Sequence, residues 1–450
     1  MTHRRKRDIK PAMPDASNPI DPTARDNPPP PAALRIILFI VFLDLVGFGI
    51  ILPQLPFYAM RYHVSPFQVT LLFSIYSLCQ FIAAPILGLI SDRHGRRPVL
   101  VFSQLGSAVG YAILGLVTQL NLPNVAVALA LIYLSRIIDG LSGGNISTAQ
   151  AYISDVTTAK NRAKGMGYLG AAFGIGFAFG PVLGGLVGND TTRAAWPAFA
   201  AALFSFVAML LSWMRLPESR PKQPAAEEVL LHPSRLLPIF RRSTLAQLLA
   251  ISFVAMTAFA MLEGIIALYL NQKFTYGPHH LPYGMRQVGW FFGFVGLFII
   301  AVQGGLMGRL THRFGDWPVA ITGALLVSLG LGLYVLTGGH PALWLLLLAG
   351  AVNATGRSLQ QPPIAALISK FSHRSEQGAV FGVYHSLGSL ARALGPAAAG
   401  IAYSAMSPTS PFAISGLVMI AITAWLLGLR LSIPGPADGI TPIAAAVPLS

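Results

Sequence analysis

The chain has 450 residues, of which 54% are hydrophobic and only 10% are charged, and its formal net charge is +15. A soluble protein has about 25% charged residues, and so few charges cannot cover this much apolar surface in water. The composition therefore excludes a string of water-soluble domains and predicts a chain that is solvated mainly by lipid. The positive charge would also suit a nucleic-acid-binding protein, so the positions of the basic residues must decide.

The chain begins with a polar segment, residues 1–33, that is basic and rich in proline. It lacks the apolar core and small-residue cleavage site of a secretory signal. We predict a disordered cytoplasmic tail here, since so polar a segment buries too little apolar surface to fold. Residues 431–450 are interpreted as a second, short tail.

Between the tails, apolar stretches of about 20 residues, long enough to cross a bilayer, recur along the chain. The twelve stretches are 36–58, 67–90, 98–118, 124–148, 165–188, 195–214, 245–270, 287–308, 318–337, 341–367, 378–403 and 411–430. The predicted fold is an all-α integral membrane protein of twelve transmembrane helices. We place a six-helix bundle at 34–214, a cytoplasmic linker at 215–243 and a second six-helix bundle at 244–430.

The basic residues are divided unequally between the two sides of this topology. With the N-terminus inside, 24 of the 31 Lys and Arg residues fall on the inside, four fall outside and three lie within spans. Cytoplasmic loops carry such an excess. We therefore predict two cytoplasmic termini in a bacterial inner or plasma membrane, with the net charge facing the inner leaflet rather than nucleic acid.

The two halves are related by an internal repeat. The segment GLISDRHGRRP at 88–98 aligns with GRLTHRFGDWP at 308–318, and the glycines around Pro181 recur around Pro396, with offsets of 220 and 215 residues. Two equivalent halves of six helices are typical of transporters, in which the substrate site lies near the membrane midplane between the halves.

The loop after the second span combines an acid with a basic cluster. Its pattern is Gly88, Asp92, Arg93, Gly95, Arg96 and Arg97. Ion pairs between Asp92 and the arginines could latch two helix ends, and breaking them would let the cytoplasmic side open. The alternative, that the arginines only anchor the loop inside, does not explain the acid, so we predict a cytoplasmic gating motif.

The fifth span is rich in small residues around Pro181, which bends the helix by removing one backbone hydrogen bond. The set is Gly176, Gly180, Pro181, Gly184 and Gly185. Several share one helix face, where small residues let backbones approach closely. We expect this helix to meet the eleventh span between the halves and to seal the pathway against ion leak. Ordinary helix packing is the alternative.

Ionisable side chains within the spans each cost roughly 2.5–3.5 kcal/mol unless they have a partner, water or a function. They are Asp44, Arg136, Asp139, Glu263, Arg357, His385 and Arg392. Arg136 and Asp139 are three residues apart and share a helix face, so they can pair. Competition between acids for this arginine is a possible proton switch, since a carboxylate beside an arginine stays ionised and an isolated one takes up a proton.

We predict that five of these side chains couple transport to protons. They are Asp44, Arg136, Asp139, Glu263 and His385. A static ion pair for Arg136 and Asp139, and a hydrogen-bonded packing role for His385, are the alternatives.

Polar and aromatic side chains in the spans form a candidate substrate-binding set, because a mixed pocket suits amphiphilic compounds. The set is Gln54, Tyr76, Gln80, Asn145, Trp290, Gln303, Arg357 and Gln360. Tyr269 and Phe291 are further candidates, although helix packing would also explain any single member.

Three more patterns accompany the loop motif. The first span reads Asp44-x-x-Gly47-x-Gly49-x-x-x-Pro53-x-x-Pro56, the fourth carries Arg136-x-x-x-Gly140, and the fifth carries the glycines around Pro181. Together they resemble the major facilitator superfamily, and most closely its twelve-span drug:proton antiporters, the tetracycline-efflux-like group. The pattern in the fifth span is similar to the antiporter signature of that group.

The resemblance implies a proton-driven exporter of small amphiphilic compounds that works by alternating access and needs no cofactor. Protons entering from outside would drive the substrate out, and the Asp92 loop would lock the outward-open state. Tetracycline exporters carry a further acid in the third span, whereas residues 106–115 here contain none. The resemblance therefore does not extend to tetracycline itself.

Other classes of protein fit less well. His279 and His280 have no evident third metal ligand, and no phosphate-binding P-loop is present, so we predict no metal site, no ATP-driven pump and no enzyme. Proton symport of a sugar or metabolite, a channel, and a scaffold or receptor without transport stay open. The expected partners are protons, a small-molecule substrate and the lipid bilayer, and we expect a monomer.

Overall fold

The computed structural model describes residues 31–189, 192–219, 242–373 and 376–433, and most of these residues are helical. The predicted N-terminal tail up to residue 30, residues 220–241 of the predicted linker and the C-terminal tail from residue 434 lie outside the described residues. The first helix already begins at Pro31, so the apolar region starts slightly earlier than predicted.

The N-terminal half is built from helices that follow the predicted spans. They are α1 (Pro31–Met60), α2 (Pro66–His94), α3 (Arg96–Leu120), α4 (Val125–Ser142), α5 (Asn145–Asp155), α6 (Ala159–Val187) and α7 (Trp196–Arg215). The fourth predicted span is divided at Gly143 and Gly144, between α4 and α5. The division lies against α2, where a Cβ on Gly144 would come within 2.8 Å of Leu87.

The C-terminal half repeats this arrangement and adds a small hairpin. Its elements are α8 (Ser243–Lys273), β1 (Thr275–Tyr276), β2 (Leu281–Pro282), α9 (Met285–Ala301), a π-helical segment (Val302–Leu306), α10 (Met307–Phe314), α11 (Asp316–Thr337), α12 (Leu343–Lys370), α13 (Gln377–Ala405) and α14 (Ser410–Ser432). The two strands are antiparallel, and Thr275 pairs with Pro282. The hairpin was not predicted from the sequence.

The predicted all-α membrane fold is confirmed. Among the described residues, ten helical segments are both long and apolar enough to cross a membrane. The other two predicted spans form α12 and α13, which are long enough at 28 and 29 residues but are more polar. Polar side chains are tolerated at membrane depth where they face a protein interior or a water-filled cavity.

Close helix packing inside the C-terminal half depends on glycine. A Cβ on Gly323 of α11 would lie 2.5 Å from the amide nitrogen of Gln360 on α12, and one on Gly356 would lie 2.5 Å from that of Val327. Van der Waals contact between such closely packed backbones stabilises helix pairs in lipid, because lipid tails are as apolar as the side chains and no hydrophobic effect drives the helices together.

The two halves meet along two seams, formed by α6 with α9 and by α2 with α13. The expectation that the fifth span meets the eleventh is therefore wrong. The fifth span instead packs on the eighth and the second packs on the eleventh, so the repeat relates one seam to the other. We call the face with the β-hairpin the outer face and the face with the α2–α3 turn the inner face.

Candidate functional site

A buried ion pair occupies the centre of the N-terminal half. Arg136 Nη1 lies 3.1 Å from Asp139 Oδ2, and the side chains are only 2% and 1% exposed. The guanidinium stacks over the Tyr111 ring at 5.4 Å, while its Nη2 has no hydrogen-bond partner. Ser107 and Tyr111 of α3 lie within hydrogen-bonding reach of the Asp139 carboxylate. The predicted pairing thus forms, and it ties α4 to α3.

Asp44 lies close to this pair. Its Oδ2 accepts a hydrogen bond of 2.8 Å from Asn145 Nδ2 at the start of α5, and its carboxylate interacts electrostatically with Asp139. Tyr76 of α2 lies within electrostatic range of both acids and of Arg392 on α13. The structure therefore brings together five predicted residues of the N-terminal half beside the seam between α2 and α13.

The C-terminal half places two arginines and one acid on the facing wall. Glu263 of α8 lies within electrostatic range of Arg357 and Arg392. The Arg357 guanidinium stacks on the Phe259 ring, 4.0 Å from its centroid. His385 and Arg392 are on the same face of α13, and His385 lies within electrostatic range of Arg392. This wall carries one more positive than negative group.

The predicted substrate-binding residues do not all reach this region. Gln80 Nε2 donates to Gly143 O at 2.8 Å, and Gln360 is buried with an unpartnered Nε2 in a cleft beside Arg357. By contrast, Trp290 is 52% exposed near the outer end of α9, and Gln303 is exposed on the π-helical segment.

Two further aromatic candidates have packing roles. Tyr269 bonds to Thr337 Oγ1 at 2.7 Å and packs edge-on against Phe412, and Phe291 fills the space beside Gly350.

The outer ends of the halves are closed against each other. A Cβ on Gly289 of α9 would lie 2.5 Å from Pro181 O, and one on Gly185 would lie 3.1 Å from Met285 O. Gln54 Nε2 also donates to Met285 O at 3.2 Å. The remaining predicted glycines, Gly176, Gly180 and Gly184, contact α1 of their own half, so the predicted antiporter motif serves two interfaces.

Four glycines near the inner ends of the helices make no comparable close contact. At Gly88 of α2, Gly167 of α6, Gly308 of α10 and Gly382 of α13, an added Cβ would meet nothing within 4 Å in the described part of the chain. The close glycine contacts between the halves that the structure describes therefore lie toward the outer ends.

Because the outer seam leaves no room for a side chain, we expect Gly289→Leu to prevent outer closure and to stop transport. Spin labels at the exposed Gln119 and His279, in a Cys79→Ser background, should then report a longer distance between the halves in pulsed EPR. Gly332→Leu is the matched control, since a Cβ there meets nothing within 4 Å. Wild-type distances and transport for Gly289→Leu would contradict the role of this seam.

Arg96 is the centre of the predicted gating motif. Its guanidinium lies 2.7 Å from Asp92 Oδ1 and 3.2 Å from Asp155 Oδ2 at the end of α5, and it donates to Ser91 Oγ at 2.6 Å. The side chain is buried, so these are strong charge-assisted contacts. The motif therefore ties α2, α3 and α5 of one half together.

Glu218 completes this cluster and was missed in the sequence. Its carboxylate accepts hydrogen bonds from the backbone N–H groups of Arg96 at 2.8 Å and Arg97 at 3.1 Å, which caps the N-terminus of α3. Gly95, at φ +100°, lies directly beneath it, and an added Cβ would clash with the Glu218 carboxylate. The position of Glu218 in the predicted linker gave no sign of this contact.

The C-terminal half carries the same link with its charges exchanged. Asp316, which aligns with Arg96, lies 2.6 Å from Lys370 Nζ at the end of α12. Asp155 and Lys370 occupy equivalent places, 215 residues apart. The Lys370 side chain is 68% exposed, so this pair contributes little, about 0–1 kcal/mol.

We expect Asp92→Asn to slow transport by about tenfold or more but to leave substrate binding largely intact, because the residue lies at the inner end of α2, away from the central charges. Transport and binding of the same fluorescent probe should be measured on purified protein in vesicles. Asp316→Asn, in the exposed pair of the other half, should change the rate less than twofold. Unchanged transport in Asp92→Asn would exclude a gating role.

Two repeated six-helix halves, with a charged pathway between them that is closed at one face, define a membrane transporter. The chain belongs to the Major Facilitator Superfamily, whose sequence pattern matches residues 37–339 and 286–446. It is a transporter rather than an enzyme, and its family binds small-molecule substrates within a membrane.

The relatives are consistent with this assignment. The chain is 30% identical over 403 residues to "Tetracycline resistance protein, class C" of Escherichia coli, covering 89% of this chain and 94% of that protein. It is 27% identical to "Major facilitator superfamily domain-containing protein 10" of Bos taurus, covering 86% and 90%. Among solved structures, the human organic anion transporter MFSD10 (TETRAN) superposes with a TM-score of 0.64 at 25% identity, over 88% of this chain and all of that chain.

Proposed function

We propose that this transporter exports small amphiphilic compounds in exchange for protons. The buried Arg136–Asp139 pair, with Asp44 in electrostatic range, carries the proposal. Two buried acids in electrostatic range of each other cannot both stay ionised without cost, so a proton can neutralise one of them, and the charge of Arg136 beside Asp139 influences which one. The similarity to tetracycline resistance proteins supports export.

In this proposal, the seam between α2 and α13 couples protonation of the acids to the rocking of the two halves. Tyr76 of α2 lies in range of Asp44, Asp139 and, on the opposite half, Arg392. A proton that neutralises one acid weakens the attraction of the N-terminal half for Arg392. The proton thereby changes the relative stability of the two open states, which is the requirement for alternating access. Glu263 and His385 remain candidates for a second protonation step.

Asp139 supplies a carboxylate at the third span, where residues 106–115 contain no acid of their own. A Cβ on Gly110 would lie 3.2 Å from Asp139 Cβ, and the carboxylate is within reach of Ser107 and Tyr111. We propose that Asp139 takes the place of the acid that tetracycline exporters carry in the third span.

An organic anion is a second candidate substrate class. The guanidinium of Arg357 and the unpartnered Nε2 of buried Gln360 share a cleft with Tyr384, a donor set suited to a carboxylate. Arg392 adds a second positive charge to the same wall. The structural similarity to the human organic anion transporter supports this candidate.

Export of a cation and export of an anion can be separated with two fluorescent probes, ethidium and fluorescein. If the substrate is an anion, we expect Arg357→Gln to reduce fluorescein transport by about tenfold, since one charge-assisted hydrogen bond is lost. In that case neither the wild-type protein nor Arg357→Gln should transport ethidium. Ethidium transport that survives Arg357→Gln would favour a cationic substrate, and failure of both probes to move against their gradients would contradict export of these compounds.

We further propose that the inner face is cytoplasmic and that the membrane is a bacterial inner membrane. The inside loops and tails hold 24 of the 31 basic residues. With the outer seams closed, the structure then corresponds to the state that takes up substrate from the cytoplasm.

A further inference from the structure

We propose a second binding site, for small organic carboxylates, in a cavity of about 250 Å³ on the outer face between the two halves. Phe57, Met60 and Arg61 line it from the N-terminal half. The opposite wall is formed by Asn271, Pro282 and Met285 of the C-terminal half. We call this cavity the outer vestibule.

The outer vestibule is separate from the central pathway. Gln54 lies one helical turn further inward on α1 than Phe57, and its side chain donates to Met285 O at 3.2 Å. Together with the contact between Gly185 and α9, this hydrogen bond forms the floor of the vestibule. A compound in the vestibule therefore reaches it from outside while the outer seam is closed.

Arg61 gives the vestibule its chemistry. The side chain is half-buried, and it makes no hydrogen bond or ion pair with any residue in the described part of the chain. A guanidinium offers five N–H donors in a planar fork that matches a carboxylate. Its charge is partly removed from water here, so an anion that bonds to it gains a charge-assisted contact.

The other residues that line the vestibule are mostly apolar, so they favour an anion whose remaining part is apolar. Phe57, Met60, Pro282 and Met285 offer ring, thioether and aliphatic surfaces. The Asn271 amide is occupied, since its Nδ2 donates to Tyr283 O at 2.8 Å and so fixes the base of the hairpin. One positive group above an apolar lining fits an aromatic or short aliphatic carboxylate.

The surrounding loops favour anions over cations. In the sequence, the outer loops hold four basic residues, Arg61, Arg193, Lys273 and Arg286, and a single acidic residue. Such an excess of one sign raises the local concentration of the opposite ion.

A ligand in the vestibule contacts both halves and so stabilises the closed outer face. Arg61 follows α1, whereas Pro282 belongs to the hairpin that precedes α9. When the outer face opens, these two walls separate and the site is lost. Binding must therefore shift the population toward the state that is closed outside.

The test is salicylate binding to the purified full chain, measured by equilibrium dialysis with radiolabelled salicylate. We expect Arg61→Gln to weaken binding by about tenfold or more. Met60→Trp, which fills the cavity but keeps the arginine, should weaken it as well. Arg286→Gln, on the exposed rim, should change binding less than twofold. Because binding is measured without transport, the result does not depend on proton coupling.

A second readout uses the spin labels at Gln119 and His279. Salicylate should increase the short-distance population in the wild-type sequence and leave it unchanged in Arg61→Gln. Salicylate binding that is lost in Arg357→Gln but kept in Arg61→Gln would place the carboxylate in the central pathway and overturn the proposal. Sulfate that binds as tightly as salicylate would overturn the assigned ligand class.

Discussion

Arg136→Ala should abolish transport and lower the free energy of unfolding by about 3–5 kcal/mol, because it leaves a buried carboxylate without its partner. The partner is Asp139, 3.1 Å away and only 1% exposed. Removal of the guanidinium also opens a space beside the Tyr111 ring. Unfolding of the purified protein in detergent, followed by circular dichroism, measures the stability, and vesicle transport of the fluorescent probe measures the activity.

The double variant Arg136→Gln/Asp139→Asn separates stability from function. It replaces both charges with amides that can still bond, so most of the stability should return while proton-driven transport stays absent. Arg35→Gln, at an exposed position near the start of α1, should match the wild-type protein in both measurements. Arg136→Ala with wild-type stability would show that Asp139 does not depend on this arginine.

Asp44→Asn should abolish the response of transport to a pH gradient while leaving the fold and gradient-free exchange intact. The amide has nearly the shape of the carboxylate and can keep the contact with Asn145, which is 2.8 Å away. It cannot take up a proton, so the charge next to Asp139 no longer changes with pH. Counterflow of labelled against unlabelled probe measures exchange, and uptake into vesicles with an imposed pH gradient measures coupling.

Asn145→Asp is the matched variant, because it keeps the size of the side chain but replaces the donor to Asp44 with a second carboxyl group, so the two acids can bond only by sharing a proton. We expect it to retain gradient-driven transport with an altered pH profile. If Asp44→Asn transports as the wild-type protein does under the same gradient, Asp44 is not part of the coupling machinery.

The helices could be predicted because lipid imposes a strict rule on the sequence. A span must be about 20 apolar residues long, and its backbone must satisfy its own hydrogen bonds. The break between α4 and α5 and the π-helical segment after α9 follow no such rule. The break lies where α2 packs against Gly143 and Gly144, a contact that the pattern of hydrophobic residues does not encode. In the π-helical segment, a Cβ on Gly304 or Gly305 would meet nothing within 4 Å in the described residues.

The candidate site was predictable in part. The pair of Arg136 and Asp139 is local, three residues apart on one helix, and its spacing alone indicated the contact. Asp44 and Asn145 are 101 residues apart and Glu218 is 122 residues from Arg96, so only the tertiary fold brings these partners together.

The interface was mispredicted for a related reason. Repeated sequence identifies which helices are equivalent, but the direction of the symmetry axis decides which helices touch. The fifth span therefore packs on the eighth, through Gly289 and Pro181, rather than on its own equivalent.

The central claim is the exchange of protons for substrate, and proton release on substrate addition tests it most directly. The full chain should be reconstituted in vesicles with an imposed pH gradient and a pH-sensitive dye, and ethidium or fluorescein should then be added. We predict that at least one probe dissipates the pH gradient in the wild-type protein, while Asp44→Asn gives no signal with either. If probe transport proceeds without proton movement and at a rate that ignores the gradient, the protein is not a proton-coupled exporter.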